Sequence, residues 1–290
     1  MNRRQFSKIS TLTLGAGLSS ADGAPSSKTL LTLGLLTDLH YADKKQGGSR
    51  AYRESLVKAK EATDLFKEKK VSAVVCLGDL IDAAPSVEEE ISYLTTITRI
   101  LAESGLPRYH APGNHCVATL NKEEFFKHAD TVNKTGHHSC DLSGVHLVIL
   151  DACYNSKMKS YGRNNAKWHD SNLPPAQIEW LKKDLAATDK PTVVFIHQRL
   201  DLDRPNHYAV KQSAEVRKIL EDSKKVKAVF QGHSHKNELT GIKGIPYCTL
   251  AALVEGSGVE NNSYSLLHVH KDGTLKLEGF RRQMSQIFTS

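Results

Sequence analysis

Short apolar runs alternate along most of this chain with stretches in which apolar residues recur every three or four positions. Such a recurrence is the spacing of one helix face, as in Leu56, Ala59, Ala62 and Phe66. Similar faces predict helices over 91–101, 178–185 and 214–220. The continuous runs have the length of buried strands. They cover residues 30–36, 73–77, 145–150, 192–196 and 226–230, with a shorter one between Pro107 and Pro112.

The last fifth of the chain changes to alternating apolar and polar residues, which is typical of antiparallel strands. These stretches cover 245–250, 263–269 and 274–280, with turns at 256–258 and 272–273. Strand–helix alternation that closes in antiparallel strands predicts one α/β domain with a mixed sheet. The sequence contains neither an internal repeat nor a linker that would divide residues 25–290.

The amino terminus carries an export signature. Arg3 and Arg4 precede Phe6 and Lys8, and a weakly apolar stretch and a run of small residues follow. This order predicts a twin-arginine signal peptide over residues 1–24 and a periplasmic or extracellular protein. A disordered basic tail is the alternative. No later segment approaches the roughly 20 apolar residues of a membrane span, so stable membrane insertion is not expected.

Charge and cysteine content narrow the set of partners. The net charge is +7, and it falls to +5 without residues 1–24, which hold three basic residues and one acidic residue. The basic residues are scattered on helices such as 58–70, which favours an anionic small substrate over nucleic acid. The five cysteines are not paired at the spacing of a metal site, and their spacing does not decide whether a disulfide forms. The sequence also leaves the oligomeric state open.

Polar residues follow the predicted strands at the point where each one ends. Loops at the carboxyl ends of strands form the ligand crevice of α/β sheets, so these residues are expected to converge. They comprise four imidazoles, two carboxylates and an amide oxygen, which suit two divalent ions, Mn, Fe or Zn. The sequence therefore predicts a dinuclear metal hydrolase. The residues are Asp38, His40, Asp79, Asn114, His197, His233 and His235.

The order Asp-x-His, Gly-Asp, Gly-Asn-His, His, Gly-His-x-His resembles the calcineurin-like metallophosphoesterase superfamily over residues 30–281. The resemblance implies a four-layer αββα sandwich with two mixed β-sheets. It also implies two metal positions that share Asp79 as a bridge. The first would be held by Asp38, His40, Asp79 and His235, and the second by Asp79, Asn114, His197 and His233. One departure is Cys116, where many relatives carry an acidic residue.

A narrower resemblance is to the manganese-dependent ADP-ribose/CDP-alcohol diphosphatase branch. It rests on residues 38–43, 50–56, 150–152 and 177–181. Eukaryotic members of that branch tend to carry glutamine where this chain has His40, and this chain is shorter in the middle. The resemblance implies hydrolysis of phosphodiester or diphosphate bonds in nucleotide-like substrates.

The chemistry of phosphoester hydrolysis suggests roles for residues beside the metals. Two divalent ions would supply a bridging hydroxide near neutral pH and neutralise the phosphoryl oxygens. His115, next to Asn114, is left to donate a proton to the leaving oxygen. Arg199 is a candidate phosphate contact. Tyr41, Tyr52, Arg53, Trp168, His169 and His207 are candidates for a rim that reads the leaving group, and packing or a solvated loop is the alternative for each.

Two other functions fit the same pattern. One is a general phosphomonoesterase with the same metal site, and the other is a non-catalytic metal-binding module on the same fold. The complete set of seven ligand positions argues against the non-catalytic module.

Overall fold

A computed structural model describes residues 27–289, which form two six-stranded sheets and five α-helices. The strands are β1 (Thr29–Leu36), β2 (Ala73–Cys76), β3 (Arg108–His110), β4 (His138–Leu142), β5 (Val145–Ile149), β6 (Thr192–Phe195), β7 (Val226–Gln231), β8 (Glu238–Ile242), β9 (Ile245–Thr249), β10 (Ser263–His270), β11 (Leu275–Arg281) and β12 (Gln286–Phe288). The helices are α1 (Ser55–Glu68), α2 (Val87–Ala102), α3 (Lys122–His128), α4 (Pro175–Ala187) and α5 (Ser213–Ser223).

Each sheet combines a parallel half with antiparallel strands. The first sheet has the order β12-β11-β10-β1-β2-β3, with β1, β2 and β3 parallel. The second has the order β4-β5-β6-β7-β9-β8, with β5, β6, β7 and β9 parallel. Parallel strands are covered on both faces, which explains their continuous apolar sequences. The carboxyl ends of these strands carry the loops that matter for function.

The molecule has four layers. Side chains such as Leu33, Leu35 and Phe230 fill the space between the two sheets. A second apolar cluster joins α1 and α2 to the outer face of the first sheet, and a third joins α4 and α5 to the outer face of the second. The αββα sandwich with two mixed sheets is therefore confirmed. The hydrophobic pattern alone had indicated one mixed sheet, because it does not tell which strands are neighbours.

The hydrophobic pattern missed four elements. Strands β4, β8 and β12 are edge strands of the two sheets, so polar residues interrupt their apolar ones and no continuous apolar run appears. Helix α3 has only seven residues, too few to display a periodic face. It is instead marked by a capping box, in which Asn121 and Glu124 each bond to the other's backbone N–H. The predicted strand at 107–112 shortens to β3.

The structure bears on the cysteines and on membrane-spanning segments. All five cysteines are free thiols. Among residues 27–289, none of the helices combines the length and apolarity that crossing a bilayer requires. The predicted signal peptide at residues 1–24 lies outside the described residues.

Candidate metal centre

The structure brings the seven predicted metal ligands together between the two sheets. Asp38, Asp79 and Asn114 follow β1, β2 and β3 of the first sheet. His197 and His233 follow β6 and β7 of the second. The two sheets thus present the carboxyl ends of their parallel strands to one shared site. Ligands that are up to about 200 positions apart in the sequence therefore meet at one site. The order of the motifs suggested this convergence, and the packing of the two sheets produces it.

The predicted ligand atoms form two of the three groups of metal-binding size among the described residues, and the third group joins His40 to Asp82 and His115. In the first, the Nε2 atom of His235 lies 3.3 Å from Asp38 Oδ1 and 3.1 Å from the Nε2 atom of His40. The second group contains Asp79, His197 and His233. Asp79 Oδ2 is 3.1 Å from His197 Nε2 and 3.6 Å from His40 Nε2. The Asp79 carboxylate therefore lies between the two groups.

Three of the ligands have one side-chain atom held by the surrounding protein and the other turned toward the remaining ligands. Asp38 Oδ2 accepts hydrogen bonds from the Thr37 hydroxyl and the His233 N–H, at 2.6 and 3.1 Å. His197 Nδ1 is 2.7 Å from the Leu77 carbonyl, which fixes this nitrogen as a donor. His235 Nδ1 lies 2.6 Å from Glu255 Oε1. Such outer contacts fix ring orientation and tautomer in metal sites.

Four ligand atoms have no hydrogen-bond partner within residues 27–289, although they are buried. They are Asp38 Oδ1, Asn114 Oδ1, His197 Nε2 and His233 Nε2. Burying a polar atom without a partner costs roughly 1–3 kcal/mol. Asp38 Oδ1 and His197 Nε2 each have a neighbour of opposite charge, so this cost falls mainly on Asn114 Oδ1 and His233 Nε2 and is relieved when a cation binds them. A pair of divalent cations fits this donor set of imidazole, carboxylate and amide oxygen.

The electrostatics of the site favour bound cations. Burial opposes a charge on His197, but Asp79 and Asp38 outweigh it and raise the pKa of His197 to about 9. For His233 burial prevails and lowers its pKa to about 3. The pKa of Asp79 lies below its ordinary value despite burial, because His197, His115 and His40 surround it. The carboxylates therefore stay ionised, and their negative charge favours the binding of cations.

The backbone around the site is held in an unusual conformation. Five of the seven ligands have positive φ, in the left-handed region that costs non-glycine residues energy. They are Asp38 (51°), His40 (45°), Asp79 (49°), His233 (71°) and His235 (61°). The motif glycines permit close approach, since a Cβ at Gly113 would collide with the Asp79 carboxylate and one at Gly232 with Thr37.

His115 stands beside the metal ligands with a partner of its own. Its Nδ1 atom is 2.5 Å from Asp82 Oδ1, and its ring meets the His40 ring edge-on at 4.7 Å between centroids. Its backbone N–H donates to Asp79 Oδ1 at 2.8 Å. Burial opposes protonation of His115, but Asp79 and Asp82 outweigh it and raise the pKa of the imidazole. A protonated, oriented imidazole is suited to donate a proton.

A cavity of about 450 Å³ opens above these residues. Asp79, Asn114, His115 and the 233–235 loop form its floor. Three side chains that are not ligands complete the wall, namely Arg50, Trp168 and Tyr208. The positive charge of Arg50 acts on His115 and His235, where it lowers the pKa of both imidazoles against the larger effects of their carboxylate neighbours. The cavity thus has one cationic wall and one aromatic wall.

The three substrate contacts predicted from sequence lie outside this cavity. The Tyr41 ring is buried against Tyr93, 5.9 Å between centroids. Arg53 forms an exposed ion pair with Asp43 at 2.5 Å. Arg199 is buried, with its guanidinium bound to Asp201 and Glu238, and it lines a neighbouring cavity of about 490 Å³. Among the other residues predicted for the rim, Trp168 lines the cavity over the metal centre. The rings of His169 and His207 contact the Trp168 ring.

Sequence reasoning missed four residues of the site. Asp82 and Glu255 orient imidazoles, and Arg50 and Tyr208 line the cavity. A signal was available for Asp82, because it stands three residues after Asp79 in the same motif. Arg50 and Tyr208 lie in irregular loops, where no periodicity points to them.

The profile of a family described as calcineurin-like phosphoesterase matches residues 31–237, a span that contains the whole metal centre. The chain belongs to this family. Membership confirms the resemblance seen in the motifs, and the two ligand groups remain the candidate metal-binding residues. The ligand assignment to individual ions stays a prediction.

Relatives of this calcineurin-like phosphoesterase carry the names of phosphoester hydrolases. A probable cyclic nucleotide phosphodiesterase from Fibrobacter succinogenes is 26% identical over 73% of this chain and 75% of its own length. A manganese-dependent ADP-ribose/CDP-alcohol diphosphatase from Oryza sativa subsp. japonica is 24% identical over 80% of this chain and 86% of its own. The narrower resemblance to the diphosphatase branch is therefore also confirmed as a similarity.

Solved structures agree on the fold. A dimetal phosphatase from Danio rerio superposes with a TM-score of 0.80 over 90% of this chain and 99% of its own, at 18% identity. A purple acid phosphatase from yellow lupin superposes with a TM-score of 0.59 over 89% of this chain and 53% of its own, at 14% identity. At such identities the likeness establishes the architecture of this calcineurin-like phosphoesterase and nothing about its substrate.

Proposed function

We propose that this protein is a dinuclear-metal phosphoesterase that hydrolyses phosphodiester or diphosphate bonds in small nucleotide-like substrates. The observation that carries the proposal is the position of the Asp79 carboxylate between two groups of buried ligand atoms. One carboxylate has lone pairs enough to serve two ions. The names of the relatives, a phosphodiesterase and several diphosphatases, support the class of bond.

The two ions would be held by the residues inferred above, Asp38, His40, Asp79 and His235 for one and Asp79, Asn114, His197 and His233 for the other. Mn, Fe and Zn all accept this donor set, and manganese is the ion in the diphosphatase relatives' names. When bound, such a pair activates water and neutralises the phosphoryl oxygens of the substrate.

The chain's own residues supply the remaining steps. The Arg50 guanidinium on the cavity wall is placed to attract an anionic phosphoester into the cavity. His115 is oriented by Asp82 and carries a proton at the floor of the cavity. It would give that proton to the oxygen of the departing alcohol or phosphate, which would otherwise leave as an unstable anion. Asn114 contributes a neutral oxygen and so limits repulsion of the anionic substrate.

A substrate panel tests this function. Enzyme stripped of metal is reloaded with Mn²⁺, Fe²⁺ or Zn²⁺ and assayed with ADP-ribose, CDP-glycerol, a cyclic nucleotide and a simple monoester. We expect stripping to abolish activity, reloading to restore it, and diphosphates or diesters to be turned over at least about 10-fold faster than the monoester, a difference of about 1.4 kcal/mol in barrier.

Two other results of this substrate panel would favour the alternative functions. Faster turnover of the monoester contradicts the proposal and establishes a general phosphomonoesterase. Less than about one ion per chain after dialysis, together with no turnover of any substrate, would establish a non-catalytic module.

We also propose that residues 1–24 are a twin-arginine signal peptide that directs the folded enzyme to the periplasm or beyond. The support is the order of Arg3-Arg4, Phe6 and Lys8 before a weakly apolar stretch and a run of small residues. Export as a folded protein suits an enzyme that binds its metals before it leaves the cytoplasm.

Replacing both arginines by lysine (Arg3→Lys with Arg4→Lys) tests the export proposal. Because charge is preserved, a simple basic tail would be unaffected, whereas the twin-arginine route should fail and leave uncleaved precursor in the cytoplasm. Cell fractionation and amino-terminal sequencing measure the outcome, with Lys8→Arg as the charge-preserving control. Wild-type enzyme that keeps Met1 and stays in the cytoplasm would contradict the proposal.

A further inference from the structure

Part of the cavity wall is built from aromatic rings. Trp168 and Tyr208 meet at 5.4 Å between ring centroids, and both also contact the ring of the ligand His233, at 6.1 and 5.5 Å. His169 and His207 pack against Trp168 from outside, at 5.6 and 5.9 Å. Five aromatic or imidazole rings therefore form one continuous surface that ends at the metal centre.

This surface is exposed although it is apolar. Trp168 is 44% exposed and Tyr208 is 37% exposed, and both face the 450 Å³ cavity instead of the core. Large apolar side chains exposed at the edge of a cavity mark a binding surface more often than a packing defect. Neither ring belongs to the three apolar clusters that pack the layers of the sandwich.

The loops that carry the two rings are fastened to each other. Trp168 lies in the loop between β5 and α4, and Tyr208 in the loop between β6 and α5. The Lys211 ammonium donates to Asp170 Oδ1 at 2.8 Å, and the Lys211 N–H donates to the Ser171 carbonyl at 3.1 Å. The Leu173 N–H donates to Gln212 Oε1 at 2.9 Å. The aromatic surface is therefore preorganised, which lowers the entropic cost of binding against it.

We infer that Trp168 and Tyr208 form a stacking subsite for the planar heteroaromatic base of a nucleoside attached to the scissile phosphate. The inference rests on the proposed function and adds a specificity-determining surface to it. The rings of Trp168 and Tyr208 are too close to admit a third ring between them, so the base would lie on their exposed faces. A base stacked there, next to His233, keeps its phosphate within reach of the metal centre and of Arg50.

Matched substrates test the subsite. The 4-nitrophenyl ester of thymidine 5′-phosphate and ethyl 4-nitrophenyl phosphate share a leaving group, and only the first carries a base. Stacking of one base on an aromatic side chain contributes about 1–3 kcal/mol. We therefore expect Trp168→Ala to lower the ratio of the two kcat/KM values about 5- to 150-fold, and Trp168→Phe to retain most of that ratio. The control Val57→Ala removes an apolar side chain of similar exposure on α1 and should leave the ratio unchanged.

Binding gives a readout that does not depend on turnover. The chain has two tryptophans, so Trp180→Phe leaves Trp168 as the fluorescent reporter. In the metal-loaded enzyme we expect AMP to quench Trp168 and to bind at least about 10-fold more tightly than ribose 5-phosphate. We expect Trp168→Ala, which lacks the reporter and is measured by titration calorimetry beside the wild type, to lose that preference.

The outcomes separate the subsite from the proposed function. Equal affinity for AMP and ribose 5-phosphate, or an equal loss on both diesters in Trp168→Ala, overturns the stacking subsite. A wild-type enzyme that prefers AMP in binding but hydrolyses neither the diesters nor ADP-ribose keeps the subsite and contradicts the proposed function.

Discussion

Asp79→Ala is expected to lower the rate of hydrolysis by about 10³-fold or more while the chain stays folded. Asp79 lies between both ligand groups, so its loss removes a donor from two ions at once. Metal ions contribute several kcal/mol to the stabilisation of a phosphoryl transition state, and about 1.4 kcal/mol corresponds to a factor of ten in rate. The measurements are kcat and KM on the best substrate of the panel, the metal content after equilibrium dialysis, and circular dichroism as the check of folding.

A second variant separates the charge of Asp79 from its packing. Asp79→Asn keeps an oxygen that can accept from the His115 N–H but removes the bridging anion. We expect metal content to fall below two ions per chain and activity to fall nearly as far as in Asp79→Ala. Asp64→Asn, an exposed carboxylate on α1, is the matched control and should behave like the wild type. Activity above about a tenth of the wild-type rate in either Asp79 variant would contradict a dinuclear site.

His115→Ala is expected to slow hydrolysis by about 10²–10⁴-fold without changing metal content. The imidazole is not among the seven predicted ligands, and its Nδ1 is engaged by Asp82. Its loss should therefore affect proton donation and leave the ions in place. The decisive comparison is between leaving groups, because an alkoxide needs a proton in order to depart and 4-nitrophenolate does not. We expect the loss to be much larger for an alkyl ester than for a nitrophenyl ester.

Asp82→Asn provides the companion measurement. The Asp82 carboxylate lies 2.5 Å from His115 and is itself bound by Lys44 at 2.6 Å, so the variant should leave an imidazole that is present but less well oriented. A loss of about 10- to 100-fold with the same dependence on the leaving group is expected, as is usual for outer partners of site residues. Equal losses for both leaving groups in His115→Ala would mean that His115 holds the loop or the phosphate and donates no proton.

The parts of the fold that face a core on one or both sides could be predicted from the sequence. Strands such as β1 and β6 are buried along most of their length and therefore read as continuous apolar runs, and helix α2 shows one buried face. Edge strands do not have this signature. Strand β8 alternates half-buried and exposed residues within Glu-Leu-Thr-Gly-Ile, so its identity as a strand depends on pairing with β9.

The metal ligands were predictable for a different reason. Each lies within a few residues of a strand's carboxyl end, and coordination requires particular donor atoms, so residue type and position together identify them. Side chains that contact a substrate need no particular donor atom or position, so the sequence does not single them out. Arg53 and Arg199 look equally suitable as phosphate contacts in the sequence, but Arg53 pairs with Asp43, and Asp201 and Glu238 bind the Arg199 guanidinium.

The sequence by itself determined the α/β class and the order of the core elements, and its motifs carried the resemblance to the family and the prediction of the ligand set. The class and the order follow from the hydrophobic period and the ligand prediction from donor chemistry, both of which are local along the chain. Only the tertiary structure decided which sheet each strand joins, that Asp82 orients His115, and that Arg50, Trp168 and Tyr208 line the cavity. Those relations join loops that are distant in sequence, and a loop's position is set by the packing of the strands that carry it.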